Sequence, residues 1–95
     1  MIQLTSTSDI VQLVTGSASD IEVHVSWVDL SGTTVTPGRT NTPSITTAAT
    51  TTILAAPAAS TQRRVKFISV HNNHASVTNT VDINHTDDTS NNKIY

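Results

Sequence analysis

"IEVHVSWVDL", Ile21 to Leu30, is the stretch that decides the fold class. Ile21, Val23, Val25 and Trp27 fall on one face of an extended chain, and Glu22, His24 and Ser26 on the other. Side chains alternate with period two along a strand, so this run reads as a half-buried antiparallel strand with Trp27 as its largest core anchor. On that placement Trp27→Ala costs about 3–5 kcal/mol. "SGTT" follows as a turn in which Gly32 is free to take positive φ. "TTVT" is then a short return strand that Pro37-Gly38 ends, completing a hairpin.

Towards the N-terminus, "IVQLVT" (Ile10 to Thr15) is another strand, closed by "GSAS", and Ile2 to Thr7 is a candidate for one more. Asp9 would suit a helix N-cap, but no 3.6-residue period follows it, so no helix is expected. Arg39 to Ser60 is almost all Thr, Ala, Ser, Pro and Asn. Its β-branched runs, Ser44–Thr47 and Thr50–Ala55, are bracketed by Pro43 and Pro57 and read as edge strands, because proline donates nothing to a ladder. The segment as a whole is expected to be an extended arm running across a neighbour.

In "RRVKFISVHN" Val65, Phe67, Ser69 and His71 share one face and Arg64, Lys66, Ile68, Val70 and Asn72 the other, so apolar residues occur on both. Phe67, like Trp27, is expected inside. "NNHAS" turns the chain, and "VTNTVDINH" alternates again, with Val77, Val81 and Ile83 on one face. "TDDTSNN" is a loop, and "KIY" begins a last strand. About seven or eight short strands, with turn signals every 8–12 residues and no substantial helix, describe an all-β antiparallel sandwich or jelly-roll-like barrel.

Ninety-five residues make a single domain. Only 36% of them are apolar, with one Trp, one Phe and one Tyr, so the core is thin and burial between identical subunits would help it. Serine and threonine together are roughly three residues in ten, a usage that suits half-exposed strands. Because a strand has barely begun at Tyr95, either another subunit completes it or residues 1–95 are the N-terminal part of a longer protein. The absence of cysteine removes disulfides, thiolate nucleophiles and Cys-based metal sites together. A net charge of −2 with 13% charged residues leaves no basic footprint for nucleic acid. "MIQLTSTSDI" lacks the basic and apolar regions of a signal peptide, and no apolar run approaches the ~20 residues of a membrane span. The expectation is a chain used in the cytosol of its producer or in something assembled there.

The chemical constellations are weak. His71 and His74 with His85 and His24 could supply imidazoles to zinc, but a three-residue spacing across a strand end points the rings apart. "DINHTDDTSNN" is rich in oxygen ligands yet lacks EF-hand spacing, and Asx turns account for Asp87, Asp88, Asn91 and Asn92. The sequon at Asn84 reads as chance in a chain without a secretion signal. No G-x-S-x-G elbow or phosphate loop exists, and Asp87-Asp88 would point to opposite faces of a strand. No enzyme, cofactor or metal is expected. Arg63, Arg64 and Lys66 are three cations in four positions of a chain with few charges. Two readings stand level: a solvated strand start that blunts an edge, or an orienting contact with an acidic partner surface, to which Arg brings bidentate carboxylate pairing.

"WVDLSGTTVTPGRTNT", "ITTAATTTILAAPAASTQRRVKFISVHNNHAS" and "VDINHTDDT" resemble a small β-rich module of tailed-bacteriophage structural proteins, in which an "APAASTQR-VK" segment leads into a strand. The resemblance spans Trp27 to about Thr89. It implies a non-enzymatic virion protein that decorates or cements the capsid, or forms the base of a head fibre, with the major capsid protein or another virion component as partner. A homotrimer is favoured, since capsids offer threefold sites; no nucleic acid or membrane partner is implied. Contacts would come from Arg63, Arg64 and Lys66, and from Pro43, Ile45, Ile53, Leu54 and Pro57 of the arm. The alternatives are a tail or receptor-binding module contacting host glycans, and a trimerising anchor domain of a longer tail fibre. Exposed aromatics suit sugars, and with Trp27 and Phe67 assigned to the core the glycan reading is the weaker.

Overall fold

A computed structural model describes Ile2–Tyr95. Its strands are β1 (Ile2–Leu4), β2 (Ile10–Thr15), β3 (Ile21–Ser31), β4 (Thr34–Ile45), β5 (Thr50–Leu54), β6 (Gln62–Asn72), β7 (Val81–Thr86) and β8 (Asn91–Lys93). They form two four-stranded antiparallel sheets, ordered β1-β6-β3-β4 and β5-β2-β7-β8, packed as a sandwich with no helix among the described residues. Apart from the β3–β4 and β7–β8 hairpins, every connection passes from one sheet to the other. Of the sandwich and the jelly-roll-like barrel, the sandwich is the one formed.

β3 is the spine of the long sheet, paired along its length with β4 and β6. Ile21, Val23 and Val25 are at most 3% exposed and face Leu13, Ile53 and Leu54 in one core cluster. Val11 and Leu13 alternate inward from β2 in the same way. Every side chain in that core is aliphatic. Trp27 instead packs partly buried at the rim of the cluster, so it is not the central anchor its size suggested.

The β3–β4 hairpin turns at Gly32, whose φ of 59° and place at the first central position fit a type II′ turn, the hand that matches strand twist. Pro37-Gly38 does not end β4, which runs on through both to Ile45. The reason is position. β4 is an edge strand with a partner on one side only, and a proline facing the open side removes no ladder bond. Gly38 lies opposite Trp27, and a Cβ there would stand 2.9 Å from the indole.

The Arg39–Ser60 segment is likewise laid along its own sandwich rather than held out as an arm. Arg39 to Ile45 completes β4, Thr50 to Leu54 forms β5 at the edge of the second sheet, and the chain then crosses to β6. The last strand runs from Asn91 to Lys93, so the lysine of "KIY" ends it rather than beginning it. Ile83 N–H donates to the Tyr95 carbonyl (2.9 Å), and Ile94 N–H donates back to the Ile83 carbonyl (2.8 Å).

Asp9, Thr15 and Asn79 find their hydrogen-bond partners in nearby loops and turns. Asp9 accepts the Thr5 and Ser6 amides at 2.8 and 3.2 Å, closing the β1–β2 turn. Burial pushes this carboxyl up, but those bonds, the Ser6 hydroxyl and the nearby His85 together hold it below its ordinary value. The Thr15 hydroxyl donates to the Thr47 carbonyl (2.8 Å) and accepts the Ala49 amide (3.1 Å). Asn79 fastens the "GSAS" turn by accepting the Gly16 and Ser17 amides and donating to the Ser17 carbonyl.

Candidate functional site

The cationic cluster is split between the two faces of the long sheet, and a β-bulge does the splitting. Ser26 pairs with Phe67 but Trp27 pairs with Val65, which leaves Lys66 as an extra residue in β6. An extra residue breaks period two, so side chains on either side of it are no longer in phase. Val65 lies inward with Ile68 and Val70, which sit opposite the buried Val25 and Val23. Phe67 is turned outward and is 58% exposed. The strand shows apolar residues on both faces because its phase changes midway. Placing Phe67 in the core is thereby corrected.

Arg63 stays on the inner side, where its hydrogen bonds are all internal. Its Nε and Nη2 hold the two carboxylate oxygens of Asp29 at 2.8 and 3.0 Å, and Nη1 donates to the Ala55 carbonyl at 2.9 Å. Its guanidinium also lies 4.6 Å from the centre of the Trp27 ring. Asp29 and Arg63 are cross-strand neighbours, so the clamp ties β3 to β6 and both to the loop after β5. Arg63 is therefore a structural residue. Ile45, Ile53, Leu54 and Pro57 are also buried in the chain's own interior. Pro43 is exposed, on β4.

The outward face gathers the remaining candidates. Arg64 lies opposite Val28, and Arg39 opposite Ser26, the same residue that faces Phe67. Arg39, Arg64 and Lys66 thus share this face, and among the described residues none of them is in an ion pair. The other two of the five Lys and Arg residues are bound in pairs, Arg63 with Asp29 and Lys93 with Asp82. Arg64 Nε is buried without a protein partner. Glu22 is the carboxylate that β3 adds to this face, at its far end, so the middle of the face is positive although the chain is net negative.

Beside Phe67 the face dips into a shallow recess of about 310 Å³ lined by Glu22, His24, Asn41, Pro43, Ser69 and His71. His24 packs its ring 6.5 Å from Phe67 and shares a 2.6 Å hydrogen bond through Nδ1 with Asn41 Oδ1. The four histidines do not converge. His74 Nδ1 accepts the Ser76 and Val77 amides, and His85 Nε2 contacts the Gln3 carbonyl. Among the described residues no group of three or more His, Asp or Glu is placed to hold a metal ion. Asp87 accepts the Ser90 and Thr89 amides as an Asx turn, which holds its carboxyl below the ordinary value.

Arg39, the place of His24 beside Phe67 and the outward turn of Phe67 escaped the sequence reading. A usable signal existed for Arg39. A two-residue turn at Gly32-Thr33 pairs Ser31 with Thr34, and counting back along the hairpin brings Arg39 opposite Ser26. No such signal existed for Phe67, since a bulge is invisible without the partner strand.

No protein family, curated protein or solved structure matches the chain.

Proposed function

We propose that this chain is a non-enzymatic structural module that attaches to a larger assembly through the outward face of the β1-β6-β3-β4 sheet. One observation carries this reading: a chain with a single phenylalanine turns it out to solvent, by a bulge, in the middle of an unpaired cationic face. Exposed aromatics ringed by polar groups are how interfaces anchor. The partner surface would be acidic with an apolar dent: carboxylates for Arg39, Arg64 and Lys66, and a socket for Phe67. The phage-module resemblance names the assembly as a tailed-phage virion, with this chain decorating or cementing the capsid or forming the base of a head fibre.

The test is co-sedimentation with particles from the producing source. Arg39→Glu with Lys66→Glu, and separately Phe67→Ser, should each abolish particle binding while leaving circular dichroism and thermal midpoint near the parent's, because all three residues are exposed. Binding that survives both changes would sink this docking mode.

A second reading has gained an argument. Phe67 is outside, next to a recess that offers Glu22, His24 and Asn41 as hydrogen-bonding groups, an arrangement that suits a sugar ring. A receptor-binding module contacting host glycans would give hits on a glycan array that Phe67→Ala removes. An empty array leaves the attachment reading alone.

A further inference from the structure

The long sheet is left open along half of β6. On the side away from β3, β6 pairs with β1 only from Arg63 to Val65. Among the described residues, that side meets no strand from Lys66 to Asn72, and no backbone hydrogen bond outside the ladders involves this stretch. Open edges recruit strands unless something blunts them. The others are blunted or short: β4 carries Pro37, Arg39 and Pro43, while β1, β5 and β8 are three, five and three residues long. The open stretch of β6 has no proline, and its one charge, Lys66, is at its end. Under it lies an apolar cleft of about 310 Å³ lined by Ile68, Val70, Val81, Ile83 and Tyr95. Unpaired backbone and uncovered apolar surface therefore coincide.

We propose that this edge pairs with the same edge of a second copy of the chain, antiparallel about a twofold axis at Ser69. Charge selects both the occupant and the direction. Lys66, with Arg64 two residues before it, stands at one end of the open stretch. At the other end β3 brings Glu22 opposite His71, and Asp20 sits against Asn73. Antiparallel pairing lays the positive end of each copy beside the negative end of the other; parallel pairing would stack Lys66 on Lys66. Lys66 of one copy and Glu22 of the other are then two strand spacings apart, about 10 Å between backbones, which these two outward side chains can span. The centre is matched too. With Ser69 on the axis, Ile68 faces Val70 of the second copy on the inner side, closing the apolar clefts. On the outer side Phe67 faces His71 of the second copy, so the two outward faces become one surface. The contact is isologous, as closed twofold assemblies require, and it sets a twofold pair ahead of the threefold assembly expected from sequence.

Sedimentation equilibrium of the purified chain across a concentration series tests this without reference to any particle. The expected mass is twice the monomer's 10.1 kDa, with those amides of Phe67–His71 that alternate away from β3 gaining protection from exchange as dimer forms. Lys66→Glu and Glu22→Lys should each raise the dimer dissociation constant roughly tenfold, since each turns two attractive contacts repulsive. Lys66→Glu combined with Glu22→Lys should restore the parent's value. All sites changed are exposed, so folding is not at issue. A monomer at every concentration, a threefold mass, or a double variant no tighter than the singles would overturn the pairing.

Discussion

From Ile21 to Val25 the inward side chains of β3 are at most 3% exposed against the second sheet; from Trp27 to Ser31 no residue of the same strand is buried. The first half is secured by apolar area, which is additive and indifferent to direction. The second half belongs to a ribbon that helps stretch the molecule to 47 Å in its longest dimension. It is secured by a handful of directed contacts: Arg63 on Asp29, Arg63 on Ala55 and the guanidinium over Trp27. A chain short of large apolar residues can thus extend a rigid strand pair past the end of its core, provided one ion pair is shielded enough to matter. The Arg63 and Asp29 side chains are 14% and 23% exposed, well below the exposure at which such pairs contribute nothing.

Breaking the first half should have the larger effect. Ile21→Ala removes a fully buried aliphatic from the cluster and should cost about 3 kcal/mol of global stability, read as a fall in urea midpoint with an unchanged slope. Asp29→Ala should cost less, about 1–2 kcal/mol, because the pair is only partly shielded. Its signature should be local. Trp27, the only tryptophan, should shift its emission to the red before the main transition, and amides from Trp27 to Thr36 should exchange faster while those of Ile21–Val25 do not. Uniform exchange, or an unmoved emission, would show that the halves are not separately held.

The same division explains what could be read from the residues alone. In Ile21–Val25 one face is covered, so alternation and burial agree, and the strand, its faces and the all-β class follow from the pattern. Pro37 reads as the end of β4, because a proline looks like a stop wherever the strand's place at an edge is hidden. Strict alternation misphases β6, because the bulge at Lys66 changes which side chains share a face, and only its register with β3 reveals that. The grouping of the candidate residues is hidden for the same reason. Three neighbouring cations were visible as a cluster, but Arg63 belongs to the inner clamp, while Arg39, distant in sequence, belongs with Arg64 and Lys66. Burial of Ile45, Ile53, Leu54 and Pro57 depended on the crossing from β4 to β5, which a Thr- and Ala-rich segment does not advertise.

Asp9 stands where the two halves meet, since Leu4 before its turn pairs with Arg63 and Ile10 after it opens β2. Its carboxyl is held below the ordinary value of 3.8, despite burial that opposes ionisation, by the Thr5 and Ser6 bonds and by His85. The folded state therefore binds fewer protons there than the unfolded chain. Its contribution is fully present above about pH 3.8 and is lost as pH falls through the lower folded value. Asp9→Asn keeps one side-chain oxygen, which can still accept the Thr5 and Ser6 amides where Oδ2 now takes both, but it loses the charge, so it should cost about 1 kcal/mol at neutral pH. That is the smallest of these effects. Urea midpoints of parent and variant should converge as pH drops below about 4, with a residual acid slope in both from Asp87, whose carboxyl is lowered by the Ser90 amide. If the midpoints stay parallel down to the acid limit, the charge of Asp9 has no part in holding the border, and the loop is kept by its backbone bonds alone.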